Sequence, residues 1–220
     1  MFGLSRQRGF QGFDLAIGNP PYVRQEELKA VLVTDSDGDE RSLKDVLKAN
    51  YACFGAQADL YVYFFERSFQ LLRVGGVLSF ISSNKFFRSG YGERLRTFFL
   101  YATRPRVLLD FGDAPVFTAI AYPTIFVAQK TKHIGDPKAL PKEAIKAAAL
   151  PPTEWKARVL NWNPGERISD FPEIFSEQSF RLEVRNLRPD GWQFGSDGLL
   201  TLLNRLLKFP TFREHCSGRV

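Results

Sequence analysis

The sequence predicts an α/β fold in which a mostly parallel β-sheet is covered by crossover helices. Short apolar runs typical of buried strands recur along the chain, beginning at residues 13–17. Helical segments that end near glycine or proline lie between them, so helices and strands alternate. The 220 residues suffice for one domain with a substantial core, or for one and a half small domains. The 21 phenylalanines predict a Phe-rich core.

The clearest helix covers residues 59–72, because its apolar side chains recur at helical spacing. Asp59 is a suitable cap for its first turn, and Gly75-Gly76 is expected to end it. A buried strand is predicted at 77–81. Upstream, a charged segment is expected to form an exposed acidic loop at 34–40 and a short helix at 42–47.

The pattern then repeats, with a helix at residues 91–101 and strands at 107–111 and 124–129. The two strands are close in sequence and are expected to pair antiparallel. After residue 132, prolines break the chain into short elements, and we expect a mixed, mostly irregular or helical region. Its predicted elements are helices at 144–150 and 196–208 and a short strand at 159–162.

Net charge is +6 and the isoelectric point is about 9.4, which permits an anionic partner. The residues of the candidate basic cluster are Lys85, Arg88, Arg94, Arg96, Arg104 and Arg106. Cys53 and Cys216 lie far apart without metal-ligand spacing, so neither a zinc site nor a disulfide framework is expected. No apolar run is long enough to span a bilayer, and a cytoplasmic location is expected.

The chain is organised around Asn19-Pro20-Pro21-Tyr22, which directly follows the first predicted strand. Two successive prolines fix the backbone and present Asn19 on a stiff loop at the carboxyl end of that strand. Ligands of open α/β sheets bind at this edge. The simpler interpretation is a turn in which Asn19 hydrogen-bonds to its own backbone.

This motif suits a planar group that carries an NH2, such as the exocyclic amine of adenine. That amine is a poor nucleophile because its lone pair is delocalised into the ring. Two acceptors, Asn19 Oδ1 and the Pro20 carbonyl, would favour a tetrahedral nitrogen and stabilise the positive charge that develops during attack. The stiff backbone reduces reorganisation, and Tyr22 would stack on the ring.

From the motif onward, the chain resembles the gamma-type N6-adenine DNA methyltransferases, especially the methylase subunits of type II restriction–modification systems. The resemblance covers about residues 13–130 and consists of blocks in the family's order. These blocks are residues 13–22, 58–67, 75–81, 84–86, 110–112, 116–117 and 122–127. It implies a partial Rossmann-like methyltransferase sheet of about four strands.

The resemblance also implies S-adenosylmethionine as methyl donor and an adenine flipped out of double-stranded DNA. Asn19 and Pro20 would bind the amine, while Tyr22 and Phe117 would stack on the base. Asn19, Pro21 and Phe64 would lie close to the donor. The alternative for Phe64 is an ordinary core position on the apolar face of a helix; Phe117 lies in a loop between strands, where that alternative is weaker.

One departure from the family concerns the donor site. The glycine-rich donor loop expected upstream of the motif, and the acidic residue that follows it, are missing. We therefore expect residues 1–132 to be the C-terminal half of a catalytic domain. Residues 133–220 would be a connector that leads into a truncated target-recognition domain. Such a fragment is expected to be inactive alone, and its exposed sheet edge invites self-association.

Two alternatives remain open at this stage. Asn-Pro-Pro-Tyr also occurs in methyltransferases that act on protein glutamine or on guanine amino groups, because the same pair of acceptors serves any planar NH2. The charged insert at residues 23–50 and the block around Phe117 argue against them. The second alternative is a truncated, non-catalytic chain that only binds a partner or DNA.

Overall fold

The computed structural model describes residues 11–28, 31–34, 38–117, 122–132, 151–163 and 165–195. The helices predicted at 144–150 and 196–208 and the expected start of a recognition domain at 215–220 lie outside these ranges. No helix in the described part is long and apolar enough to cross a membrane.

Strands and helices alternate through the first half, as the sequence predicts. The strands are β1 (Phe13–Gly18), β2 (Leu32–Thr34), β3 (Glu40–Ser42), β4 (Leu72–Ser83), β5 (Thr103–Asp110), β6 (Pro123–Lys130), β7 (Lys156–Asn161) and β8 (Phe180–Glu183). The α-helices are α1 (Gln25–Leu28), α2 (Leu43–Asn50), α3 (Tyr61–Leu71), α4 (Glu93–Ala102) and α5 (Phe171–Gln178). The main sheet has the order β1-β4-β6-β5-β7-β8, while β2 and β3 form a separate hairpin.

The α/β class is confirmed, and the main sheet is mixed. β1 runs parallel to β4 and β5 runs parallel to β7. β6 is inserted between β4 and β5 and runs antiparallel to both, which confirms the predicted antiparallel pair. The four strands β1, β4, β5 and β6 match the expected number. β7 overlaps the short strand predicted at 159–162, and β8 is a further strand from the region expected to be mostly irregular or helical; both extend the same sheet.

The core is rich in phenylalanine, as predicted. Phe65 on α3 is fully buried and lies 5.1 Å, centroid to centroid, from both Phe80 on β4 and Phe99 on α4. Phe86 and Phe126 also contact it. Edge-to-face and tilted ring contacts dominate this cluster, the arrangement that aromatic quadrupoles favour. The cluster fixes α3 and α4 against the sheet and so positions the strand ends.

The prediction that the first strand is buried is wrong. In β1, Leu15 is 54% exposed and Ile17 is 73% exposed. β1 is an edge strand that pairs only with β4 in the described sheet, and no described element covers the face that Leu15 and Ile17 share. The expected exposed sheet edge is thus present, and it carries apolar side chains.

The helix predicted at 59–72 is present as α3, but the residues predicted to start and to end it are wrong. Asp59 does not cap α3; its Oδ2 accepts a hydrogen bond from the Tyr91 hydroxyl at 3.1 Å. Gly75-Gly76 does not end the helix, because the chain passes at Leu72 directly into β4, which contains both glycines. A Cβ atom at Gly76 would lie 2.8 Å from the Phe13 carbonyl oxygen, so glycine permits the close approach of β1.

Candidate functional site

The motif Asn19-Pro20-Pro21-Tyr22 directly follows β1 at the carboxyl end of the strand. Pro20 is buried, whereas Asn19 and Pro21 are exposed. The carbonyl of Val23 accepts a hydrogen bond from the Leu60 backbone N–H at 3.0 Å, which ties the motif to the start of α3. The Asn19 side chain makes no hydrogen bond to any described residue, so the bond to its own backbone expected of a simple turn is not formed.

The structure brings the two predicted stacking residues together. The rings of Tyr22 and Phe117 lie 6.2 Å apart and meet edge to face at 71°. The Tyr22 hydroxyl is buried and has no hydrogen-bond partner among the described residues. Burial raises the pKa of this hydroxyl to about 12. Tyr22 therefore stays protonated at neutral pH.

A hydrogen-bond network at the ends of β4 and β5 holds the loop that carries Phe117. The Asn84 side-chain amide donates to Asp110 Oδ1 at 2.8 Å, and the same oxygen accepts the Gly112 backbone N–H at 3.0 Å. The Asn84 backbone N–H donates to the Tyr122 carbonyl at 2.8 Å. These bonds hold Gly112 and Tyr122 at the ends of β4 and β5.

Tyr122 itself has a φ of 45°, a left-handed conformation that is uncommon for residues other than glycine. Such backbone conformations persist only where neighbouring contacts impose them, and they cluster at functional sites. Sequence reasoning assigned no role to Asn84 or Asp110. The sequence did contain a signal for them. Asp110 is the last residue of β5, Asn84 directly follows β4, and the two strands end at the same edge of the sheet.

The structure excludes the core position considered for Phe64. Phe64 is 42% exposed, although both flanking residues, Tyr63 and Phe65, are buried. It lies one turn beyond Leu60, the residue that is hydrogen-bonded to the motif segment. Phe64 and Pro21 are thus both exposed apolar residues, one on α3 and one in the motif.

The six candidate basic residues do not form one cluster. Arg96 is buried and donates to backbone carbonyls, among them those of Phe86 and Pro189, and burial lowers its pKa. Arg94 donates to the Phe54 carbonyl. Arg104 and Arg106 lie at the amino end of β5, far from the motif. Arg96 therefore has a structural role in the fold.

A family model of the Eco57I restriction-modification methylase matches residues 3–117, which is more than half of the chain and includes the motif, α3 and Phe117. The chain belongs to this family. Within it, the type II methyltransferase M.PaeR7I of Pseudomonas aeruginosa is 33% identical over 120 residues, covering 54% of this chain and 19% of that protein. M.BstVI of Geobacillus stearothermophilus is 35% identical over 123 residues, covering 55% of this chain and 20% of that protein.

Among solved structures, the ATP-dependent type ISP restriction-modification enzyme LlaBIII bound to DNA is similar to this Eco57I-type chain, with a TM-score of 0.53. The match is 14% identical and covers 83% of this chain and 13% of that one. At this identity the likeness shows the fold alone. The chain spans about a fifth of the length of the curated relatives quoted above.

Proposed function

We propose that the full-length protein methylates the N6 amino group of adenine in double-stranded DNA, with S-adenosylmethionine as methyl donor. The observation that carries this proposal is the exposed Asn19 amide, which has no hydrogen-bond partner in the described part of the chain and sits on a loop fixed by two prolines. Membership of a restriction-modification methylase family favours DNA over protein glutamine as the substrate.

In this proposal Asn19 Oδ1 and the Pro20 carbonyl accept the two N–H bonds of the adenine amine. Both acceptors strengthen their hydrogen bonds as the nitrogen becomes tetrahedral and positively charged, so they stabilise the transition state more than the ground state. The proton leaves to water after transfer. S-adenosylmethionine supplies the electrophilic methyl group when it is bound. Tyr22 and Phe117 contact the flipped base, which must leave the duplex to reach the motif.

The residues at the motif fit one wall of a donor site. Phe64 and Pro21 are exposed apolar groups, and Phe64 lies on α3, whose N-cap residue Leu60 is hydrogen-bonded to the residue after the motif. An exposed aromatic ring suits contact with a planar ligand. We propose that residues 1–132 form the C-terminal half of the catalytic domain and that 133–220 lead toward a target-recognition domain. This part is expected to show no turnover alone, and the full-length protein to act in the cytoplasm.

The exposed edge of β1 adds a proposal about assembly. Leu15 and Ile17 point apolar side chains into solvent from a strand that lacks a second neighbour in the described sheet. An edge of this kind pairs readily with another strand. We propose that isolated copies of this chain associate through β1.

The decisive experiment is Asn19→Ala in the full-length protein, with duplex DNA and a glutamine-containing protein compared as methyl acceptors. Loss of one such acceptor costs about 10²–10³ in rate, while donor binding stays largely intact. Asn50→Ala is the matched control, because Asn50 is an exposed amide that bonds only within α2. Activity of Asn19→Ala within about tenfold of wild type would refute the two-acceptor mechanism. Methylation of the protein rather than DNA would favour the alternative substrate.

A complementation experiment tests the non-catalytic alternative. The 220-residue chain is mixed with the remaining N-terminal part of the full-length protein, and DNA methylation is measured. Restored activity that disappears with Asn19→Ala would show that this chain supplies the catalytic motif. A mixture that binds DNA without methylating it, while the full-length protein is also inactive, would support a chain that only binds.

A further inference from the structure

A basic concavity of about 270 Å³ lies beside β5, β7 and β8, at the end of the sheet opposite the candidate site. β5 begins at this end and runs for about 25 Å before Asp110 reaches the motif edge. The charged residues that line the concavity are Arg104, Arg106, Glu154, Lys156, Arg158 and Arg181.

The lining concentrates most of the chain's excess charge. Its five cations and one carboxylate give a net charge of +4, compared with +6 for all 220 residues. None of the five cations forms an ion pair within the described ranges. Arg158 lies directly opposite Arg181 in the antiparallel pair of β7 and β8, where like charges destabilise the sheet. An anion between these strands would relieve that repulsion.

Two of the guanidinium groups are held in place by aromatic rings. Arg104 lies 5.4 Å from the centroid of Trp155, and its buried Nε has no hydrogen-bond partner among the described residues. Arg158 lies 4.3 Å from the centroid of Phe175 and also donates to Ser179 Oγ. Positioned cations lose less side-chain entropy when they bind a ligand than free ones do.

We propose that this concavity binds the phosphate backbone of double-stranded DNA at a distance from the target base. The inference rests on the proposed function in taking duplex DNA as the partner. Four of the five cations are arginines, whose planar fork matches phosphate oxygens. They are spread over three strands about 4.8 Å apart, which suits several successive phosphates better than one small anion.

The test measures binding of the 220-residue chain to a fluorescent duplex of about 20 base pairs over a series of salt concentrations. The test variant is Arg106→Ala/Lys156→Ala/Arg181→Ala, three exposed side chains of the lining. The control variant is Lys48→Ala/Arg67→Ala/Arg185→Ala, which removes the same charge from exposed positions outside the concavity.

Each lost phosphate contact makes the slope of log K against log salt shallower by about 0.9, so the test variant should lose about 2 to 3 in slope and the control much less. Circular dichroism verifies that both variants fold. The inference would be overturned if the salt slope changed equally in the two variants or stayed unchanged in the test variant. It would also be overturned if the wild-type chain did not bind DNA. Displacement of the duplex by polyglutamate at the same concentration of negative charge would also overturn it, since the surface would then bind carboxylates as well as phosphates. Asn19→Ala leaves the concavity intact, so failure here and failure of the proposed function are separate results.

Discussion

The hydrogen bond between Asn84 and Asp110 should contribute measurably to stability and hold Phe117 near Tyr22. The side-chain amide donates to the carboxylate at 2.8 Å, and the bond is partly buried. A hydrogen bond to a charged group contributes about 1.5–3 kcal/mol. Asn84→Ala should therefore lower the free energy of unfolding by about 2 kcal/mol, or the melting temperature by about 4–8 °C for a chain of this size.

A double-mutant cycle isolates this interaction. Asn84→Ala, Asp110→Ala and the double variant are unfolded in urea, and we expect a coupling energy of about 1–2 kcal/mol. The matched control is the exposed pair of Asn163 and Glu166, whose side chains lie 3.4 Å apart. Its coupling should stay below about 0.5 kcal/mol because the pair is solvated. If the effects of Asn84→Ala and Asp110→Ala add within about 0.5 kcal/mol, the two side chains do not stabilise each other and the prediction is wrong.

The proposed function gives the same variant a second expected outcome in the full-length protein. Phe117 should lose its fixed position when the end of its loop is released, so the flipped state of the base should be less populated. A fluorescent adenine analogue at the target position reports this population. Asn84→Ala should lower its fluorescence, whereas Asn163→Ala should leave it unchanged. Equal fluorescence for both variants would show that the network does not position Phe117.

Three further changes test other contacts. Tyr22→Phe removes a buried hydroxyl that has no described partner, so the free energy of unfolding should stay equal or rise, by up to about 1 kcal/mol. The variant and the wild type should show the same dependence of methylation on pH between about 6 and 9, because the pKa of the Tyr22 hydroxyl, about 12, lies outside that range. A loss of about 10²-fold would indicate a catalytic hydroxyl. Glu66→Gln should destabilise by about 1–3 kcal/mol, since Glu66 accepts two backbone N–H bonds and an amide oxygen with one NH2 cannot replace both. Burial raises the pKa of Glu66, so between about pH 4.5 and the raised pKa the native state binds more protons than the unfolded state. Wild-type stability should therefore fall as the pH rises between these two values, whereas the stability of Glu66→Gln should not. Ile17→Lys should lower the mass of assemblies seen by light scattering, whereas Lys48→Glu should not.

Features that depend on neighbouring residues could be predicted without the structure. Proline geometry fixed Asn19 on a stiff loop after β1, and apolar spacing placed α3, β4 and the antiparallel pair of β5 and β6. The motif that carries the proposed chemistry was found in this way. Ser42 in fact caps α2, close to the predicted start of the short helix. These features are local, because backbone dihedrals and side-chain spacing are set within a few residues.

The contacts between distant segments, in contrast, come from the fold. It placed β6 between β4 and β5, left β1 exposed at an edge, and added β7 and β8 to the sheet. It also brought Tyr22 to Phe117, and Asn84 to Asp110, across 95 and 26 positions of sequence. Strand order depends on which faces bury the most apolar surface across the whole chain, and no local pattern contains that information. The motif was therefore readable from the sequence, whereas the network that positions its aromatic partner and the basic concavity at the far end of the sheet required the fold.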